Sequence, residues 1–116
     1  MANSTLHAIA IGVLRDSDPE FHNEYCKLVE GISALIAQIV KAHANELDYT
    51  CFTETYDRAS NEPVLQVVIG SQQNEQYLHI YIHKEKYFVV GKSGSGKPAK
   101  TAAQALEIIQ KFLSIT

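Results

Sequence analysis

With 116 residues, the chain can bury one core and has no length for a second, so residues 1–116 are read as one domain. Hydrophobic residues at 46% and charged residues at 20% exclude disorder and a fibrous repeat, and the longest uncharged apolar run, 31–40, is too short to cross a bilayer. The net charge of −3 is unevenly divided: eleven carboxylates face four cations in 1–75, whereas six lysines face two glutamates in 76–116, which confines any polyanion contact to the carboxy-terminal third.

The amino-terminal MANSTLHAIAIGVLRD lacks the basic leader and small-residue cleavage site of an export signal, so a cytoplasmic protein is expected. Within it, LHAIAIGVL (6–14) fits a helix through Leu6, Ile9, Ala10, Val13 and Leu14. Its isoleucine and valine content with Gly12 also fits a buried strand, and the strand is slightly favoured.

From Ser17 to Leu47 runs the longest periodic stretch. Phe21, Tyr25, Leu28, Ile32, Leu35 and Ile39 recur at spacings of four and three, with Val29, Ile36 and Val40 widening the face, which predicts one long helix on a core. Ser17 with Glu20 forms a candidate cap, and Asp18 and Pro19 suit the first turn. About 28 residues span about 42 Å, against about 23 Å for seven-residue strands. Part of the stripe should therefore overhang. Either the helix bends at Gly31 or a second subunit covers its end, which points to a homodimer.

Cys26 falls on this helix and Cys51 on the strand after it. With no CxxC pair, both are expected as reduced, mostly buried thiols.

From Tyr49 the period changes to two. Residues 49–56 (YTCFTETY), 64–70 (VLQVVIG), 77–83 (YLHIYIH) and 87–90 (YFVV) read as strands. Their connections are too short for parallel crossovers, so the sheet is an antiparallel meander. In the third strand Leu78, Ile80 and Ile82 face the long helix. Tyr77, His79, Tyr81 and His83, joined by Tyr87 or Phe88, face the other way as a surface that docks a protein or stacks bases, unless the last helix covers it. His79 and His83 lie about 13 Å apart in a strand, too far to share a metal, and His7, His22 and His43 have no ligand partner at helical spacing. Neither metal nor cofactor is expected.

The Gly-rich GKSGSGKPAK precedes a second amphipathic helix over 101–115, with Ala102, Ala105, Leu106, Ile109, Phe112 and Leu113 on its apolar face. Gly91 to Lys97 satisfies GxxxxGK and resembles the phosphate-binding loop of ATP-binding-cassette ATPases. Pro98, however, stands where that family has its magnesium-ligating Ser or Thr, and the hairpin-linked strands are not a parallel sheet, so nucleotide hydrolysis is not expected. GSGKPAKTAAQALEIIQKFL is similar to the end of double-stranded RNA-binding domains. That resemblance implies phosphate contacts by Lys97 and Lys100, supported by Lys92. Its alanine spacing is one residue short, the strands number four instead of three, and the body is acidic.

No nucleophile with its base and no paired carboxylates stand at informative spacing; Ser93, Ser95 and Cys51 are merely available. The fold expected is α+β: an antiparallel four- to five-stranded sheet packed on one long helix, with a carboxy-terminal helix. The leading function is a small non-enzymatic binding or regulatory protein that recognises another macromolecule through its sheet face or long helix. Second stands nucleic-acid or phosphate binding through Gly91, Lys92, Gly94, Gly96, Lys97 and Lys100.

Overall fold

The computed structural model describes residues 2–71, 74–92, 94 and 96–113; Ser93 and Ser95 lie outside them. Asn3–Ser17 forms helix α1, which corrects the strand favoured for 6–14. A strand would set Ile9, Ile11 and Val13 on one face. The helix instead turns His7, Ile11 and Leu14 inward and leaves Ile9 and Val13 exposed.

Helix α2 (Pro19–Ala42) starts one residue later than the Ser17 cap expected. Pro19 bars residue 18 from helical geometry, and Asp18 (φ −146°, ψ 78°) serves both helices. Its N–H donates to the Leu14 carbonyl at 2.7 Å, closing α1. Its Oδ1 accepts from the Phe21 N–H at 3.2 Å, opening α2. Ser17 belongs to α1 and donates its hydroxyl back to the Val13 carbonyl at 2.8 Å.

Phe21, Tyr25, Leu28 and Ile32 bury the first half of α2. Its second half carries Leu35, Ile36 and Ile39 beyond the densest packing. The cover there is internal: the last helix, α3 (Ala102–Phe112), lays Leu106 against Gly31, which has no Cβ to obstruct it, and Gln110 and Leu113 flank Leu35 and Ile39. The end of α2 is thus partly sheltered by the last helix, while Leu35, Ile36 and Ile39 stay partly exposed and Val40 exposed.

The chain between forms β1 (Leu47–Asp57), β2 (Glu62–Ser71), β3 (Glu75–His83), β4 (Lys86–Gly91) and β5 (Gly96–Ala99). These make one antiparallel sheet in the order β1-β2-β3-β4-β5. The fifth strand comes from the Gly-rich stretch and not from the amino terminus. Asn61 (φ 56°) and Glu85 (φ 60°) occupy left-handed backbone at the tips of the first and third hairpins.

Register assigns every strand side chain to a face. Leu65, Val67 and Ile69 of β2 stand beside Leu78 and Ile80 of β3, then Val89 and Tyr87 of β4, then Ala99 of β5. All are buried in one cluster with residues of α2 and α3, and Ile11 and Leu14 of α1 pack against it. The three helices therefore share one face of the sheet.

A polar contact ties α1 to the edge strand. His7 is fully buried, and its Nδ1 donates to the Thr55 carbonyl of β1 at 2.7 Å. A carbonyl can only accept, so in the neutral ring Nε2 receives the Tyr25 hydroxyl, 2.8 Å away. Glu54 approaches the same nitrogen at 3.3 Å. Tyr87 is also buried, with its ring stacked on Phe21 at 5.0 Å, but its hydroxyl has no partner among the described residues. Burial pushes both phenols well above their ordinary range, reinforced by Glu54 for Tyr25 and by Glu24 for Tyr87.

The two tyrosines should thus respond oppositely to loss of the hydroxyl. In urea denaturation Tyr25→Phe is expected to lose about 1–2 kcal/mol, and Tyr87→Phe to be at least as stable as the wild type. An unfolded tyrosine ionises near pH ~10, below either folded group. Stability should therefore hold at lower pH and fall above about 10, less steeply in Tyr87→Phe.

Candidate functional site

The face opposite the helices is uncovered by any described element. On β1, Thr53 and Thr55 lie on it with Tyr49, Cys51 and Asp57, the first two paired with Gln66 and Val64 of β2. These stand beside His79 and Tyr81 of β3, which in turn pair with Val90 and Phe88 of β4. Val68 and Tyr77 continue the surface. The sequence grouping of Tyr77, His79, Tyr81 and His83 is therefore brought together on one surface. Their rings run as a ladder, with centroids 5.7 Å apart from Tyr77 to His79 and 6.3 Å apart from His79 to Tyr81. Between the two aromatics offered by β4, register selects Phe88, since Tyr87 is in the core.

The surface is mostly aromatic and aliphatic at its centre and charged at its ends. Val64 is only 3% exposed although it lies on the open side, because Thr55, His79 and Tyr81 wall a depression of about 190 Å³ above it. Phe88, 39% exposed, leans over Gly96 of β5, which has no side chain to displace it. Tyr49 lies over Gly70 in the same way and donates its hydroxyl to Glu75. That hydrogen bond raises the Tyr49 phenol, and burial, with Asp57 and Glu62, raises that of Tyr81. Both hydroxyls stay protonated donors at neutral pH.

At one end of the sheet, Asp57 pairs with Glu62, Glu62 holds the His83 Nδ1 at 3.1 Å, and His83 pairs with Lys86. Charge along this row changes from acidic at β1–β2 to basic at β4. Chain reading missed Tyr49, Val64, Val68 and Val90 as parts of the surface. The two-residue alternation on β1 and β2 carried the signal, but only the register shows which side of those strands lies with the rings.

The basic stretch is arranged differently. Gly91 ends β4 with Phe112 of α3 packed against it. Lys92 donates to the Glu75 carbonyl at 2.9 Å. Gly94 turns the hairpin at φ 84°. Gly96 and Lys97 lie in β5 opposite Val90 and Val89, so they alternate between the two faces. Lys100 gives its N–H to Gln104 Oε1 at 3.0 Å, while the Gln104 N–H goes to Thr101 Oγ1 at 3.2 Å. The start of α3, five residues after Lys97, is thus capped by the Thr101 side chain, with Gln104 reaching back to Lys100.

Both thiols are exposed, contrary to the burial expected of them. Cys51 shares the open face with Tyr49 and Thr53, and Cys26 lies on the outer side of α2. Cys26 is also a neighbour of His22 at helical spacing, contrary to the absence expected, with Sγ 3.9 Å from the ring. The two border a groove of about 470 Å³ between α1 and α2, with Ile11, Gly12, Arg15 and Glu30. No third group orients the His22 ring as a base among the described residues, and none of them cluster as three or more metal-ligating side chains. No described helix is long and apolar enough to cross a membrane.

Comparison with family models, curated proteins and solved structures gave no match, so the surface is interpreted from its own chemistry.

Accessibility of both cysteines is directly measurable. At low micromolar concentration the native protein should give two equivalents of reactive thiol without denaturant, and Cys51→Ala one. No reaction until unfolding would contradict the placement of both residues.

Proposed function

We propose that the chain is a non-enzymatic protein-recognition module whose contact surface is the open sheet face. The observation that carries this reading is the gathering of α1, α2 and α3 on one side of the sheet, which leaves Tyr77, His79, Tyr81, Phe88 and Val68 covered by no described helix or strand. Docking surfaces of proteins are depleted of charge at the centre, enriched in aromatic side chains, and polar at the rim. This face has that composition. Val64, Val68, Val90 and the rings lie centrally, with Asp57, Glu62 and Lys86 at one end and Glu75 and Lys92 at the other.

The same distribution argues against nucleic acid as the ligand. Carboxylates stand at both ends of the aromatic face, where they would repel phosphates. Of the lysines expected to contact phosphate, Lys97 stands opposite Val89, a core residue, and so is on the other side of the sheet from Lys86 and Lys92. A phosphate-tracking surface needs its cations along one path.

The reading is tested with the tagged chain as bait in its own cells. A protein recovered by the wild type should be lost with Val68→Lys/Tyr81→Ser and retained with Lys97→Ala. For the purified pair, bound partner should shield Cys51 from a thiol reagent and leave Cys26 reactive. Raising salt from about 0.05 to about 0.5 M should change the affinity only a few fold. Affinity that collapses with salt and depends on Lys97, on the side away from the rings, would contradict the proposal and restore polyanion binding.

A further inference from the structure

We infer that the partner of the open face is a second copy of this chain, docked face to face about a twofold axis parallel to the strands and passing over β3. The inference rests on the reading of that face as a protein contact and names its occupant.

The first argument is charge. The row Asp57, Glu62, His83, Lys86 crosses the end of the sheet from β1 to β4, and Lys100 follows directly after β5. A twofold axis along β3 sets this row against its own reverse. It places Glu62 of β2 over the partner's Lys86 and Asp57 of β1 over the partner's Lys100. Because a twofold contact is isologous, each pairing occurs twice. Two carboxylates that stand side by side on one copy thus meet two lysines of the other, four unlike contacts against the one like contact the axis makes, Glu75 over its own copy.

The second argument is shape. Thr55, Val64, Tyr81, Phe88 and Pro98 share one rung of the sheet. The same axis brings the half-exposed Phe88 over the depression floored by the partner's Val64, so a protruding ring meets a dish on each side. The Tyr81 rings meet near the axis, where offset aromatic packing is favourable. Two sheets packed in this way keep their strands within about 30° of each other, so rungs close to the axis stay aligned.

The third argument is area. Five strands about 4.8 Å apart and about six residues long at about 3.3 Å each offer roughly 500 Å² per copy. About 1,000 Å² in total is the lower bound of a specific interface. The pairing is therefore expected to be reversible, with a dissociation constant in the micromolar range.

Sedimentation velocity on the full chain, with folding followed by circular dichroism, tests this. The wild type should change from monomer to dimer as its concentration rises to about 100 µM. Glu62→Lys and Lys86→Glu should each weaken self-association at least about tenfold, and an equimolar mixture of the two should regain it, because each opposed pair is then again of unlike charge. Phe88→Ser should weaken association without reversing any charge. A wild type that stays monomeric, or a mixture that stays as weak as its components, overturns the second copy as partner and leaves the face open to another protein. A dimer indifferent to Phe88→Ser and to both charge reversals overturns the arrangement and the reading of the face together.

Discussion

One layer of aliphatic side chains organises the molecule: Leu65, Val67, Ile69, Leu78, Ile80, Ile82 and Val89, all pointing to the same side of the meander and all buried. Helices pack about 8–10 Å apart, so three of them cover about 24–30 Å, and five strands at about 4.8 Å span about the same. A three-helix layer therefore fits the width of this sheet, with α1 over its β1 side, α2 between, and α3 over its β4–β5 side. No helix remains for the opposite face. The uncovered rings are a consequence of this matching of widths and not of any feature of the rings themselves.

Much of the plan was readable from periodicity. The switch from spacings of three and four to a spacing of two near Tyr49 separates helix from sheet. The alternation in YLHIYIH places its isoleucines in the core and its rings outside, because a strand has only two faces. The failures share a cause. LHAIAIGVL carries β-branched residues at alternate positions and apolar residues at helical spacing alike, and tertiary packing through His7, Ile11 and Leu14 decided for the helix. A strand over 6–14 leaves two helices for two faces and makes the last helix a candidate cover for Tyr81 and His79. The real fifth strand was hidden in GKSGSGKPAK, where Gly96 and Pro98 have low strand propensity. Pro98 is tolerated because β5 is an edge strand.

The candidate surface was partly legible for the same reason. A single strand reveals its own two faces, so Tyr77, His79, Tyr81 and His83 could be grouped from sequence. The neighbours that turn a row of rings into a surface come from β1, β2 and β4. Their inclusion depends on the parity of each hairpin, and a one-residue change of register would put Tyr87 outside and Phe88 in the core. The GxxxxGK pattern shows the reverse: a short motif kept its letters while hairpin pairing used its backbone, and the helix after it is capped by Thr101. The recognition proposed for the chain rests on a surface assembled across strands and not on a contiguous motif.

The central claim is that the helices all lie on one side of the sheet and leave the other free. The most direct measurement is histidine footprinting by mass spectrometry with an imidazole-acylating reagent, on protein dilute enough to be monomeric. The account predicts prompt modification of His79 and His83 and none of His7 until the protein unfolds. Protection of His79 equal to that of His7 would place a helix over the ring face and contradict the account.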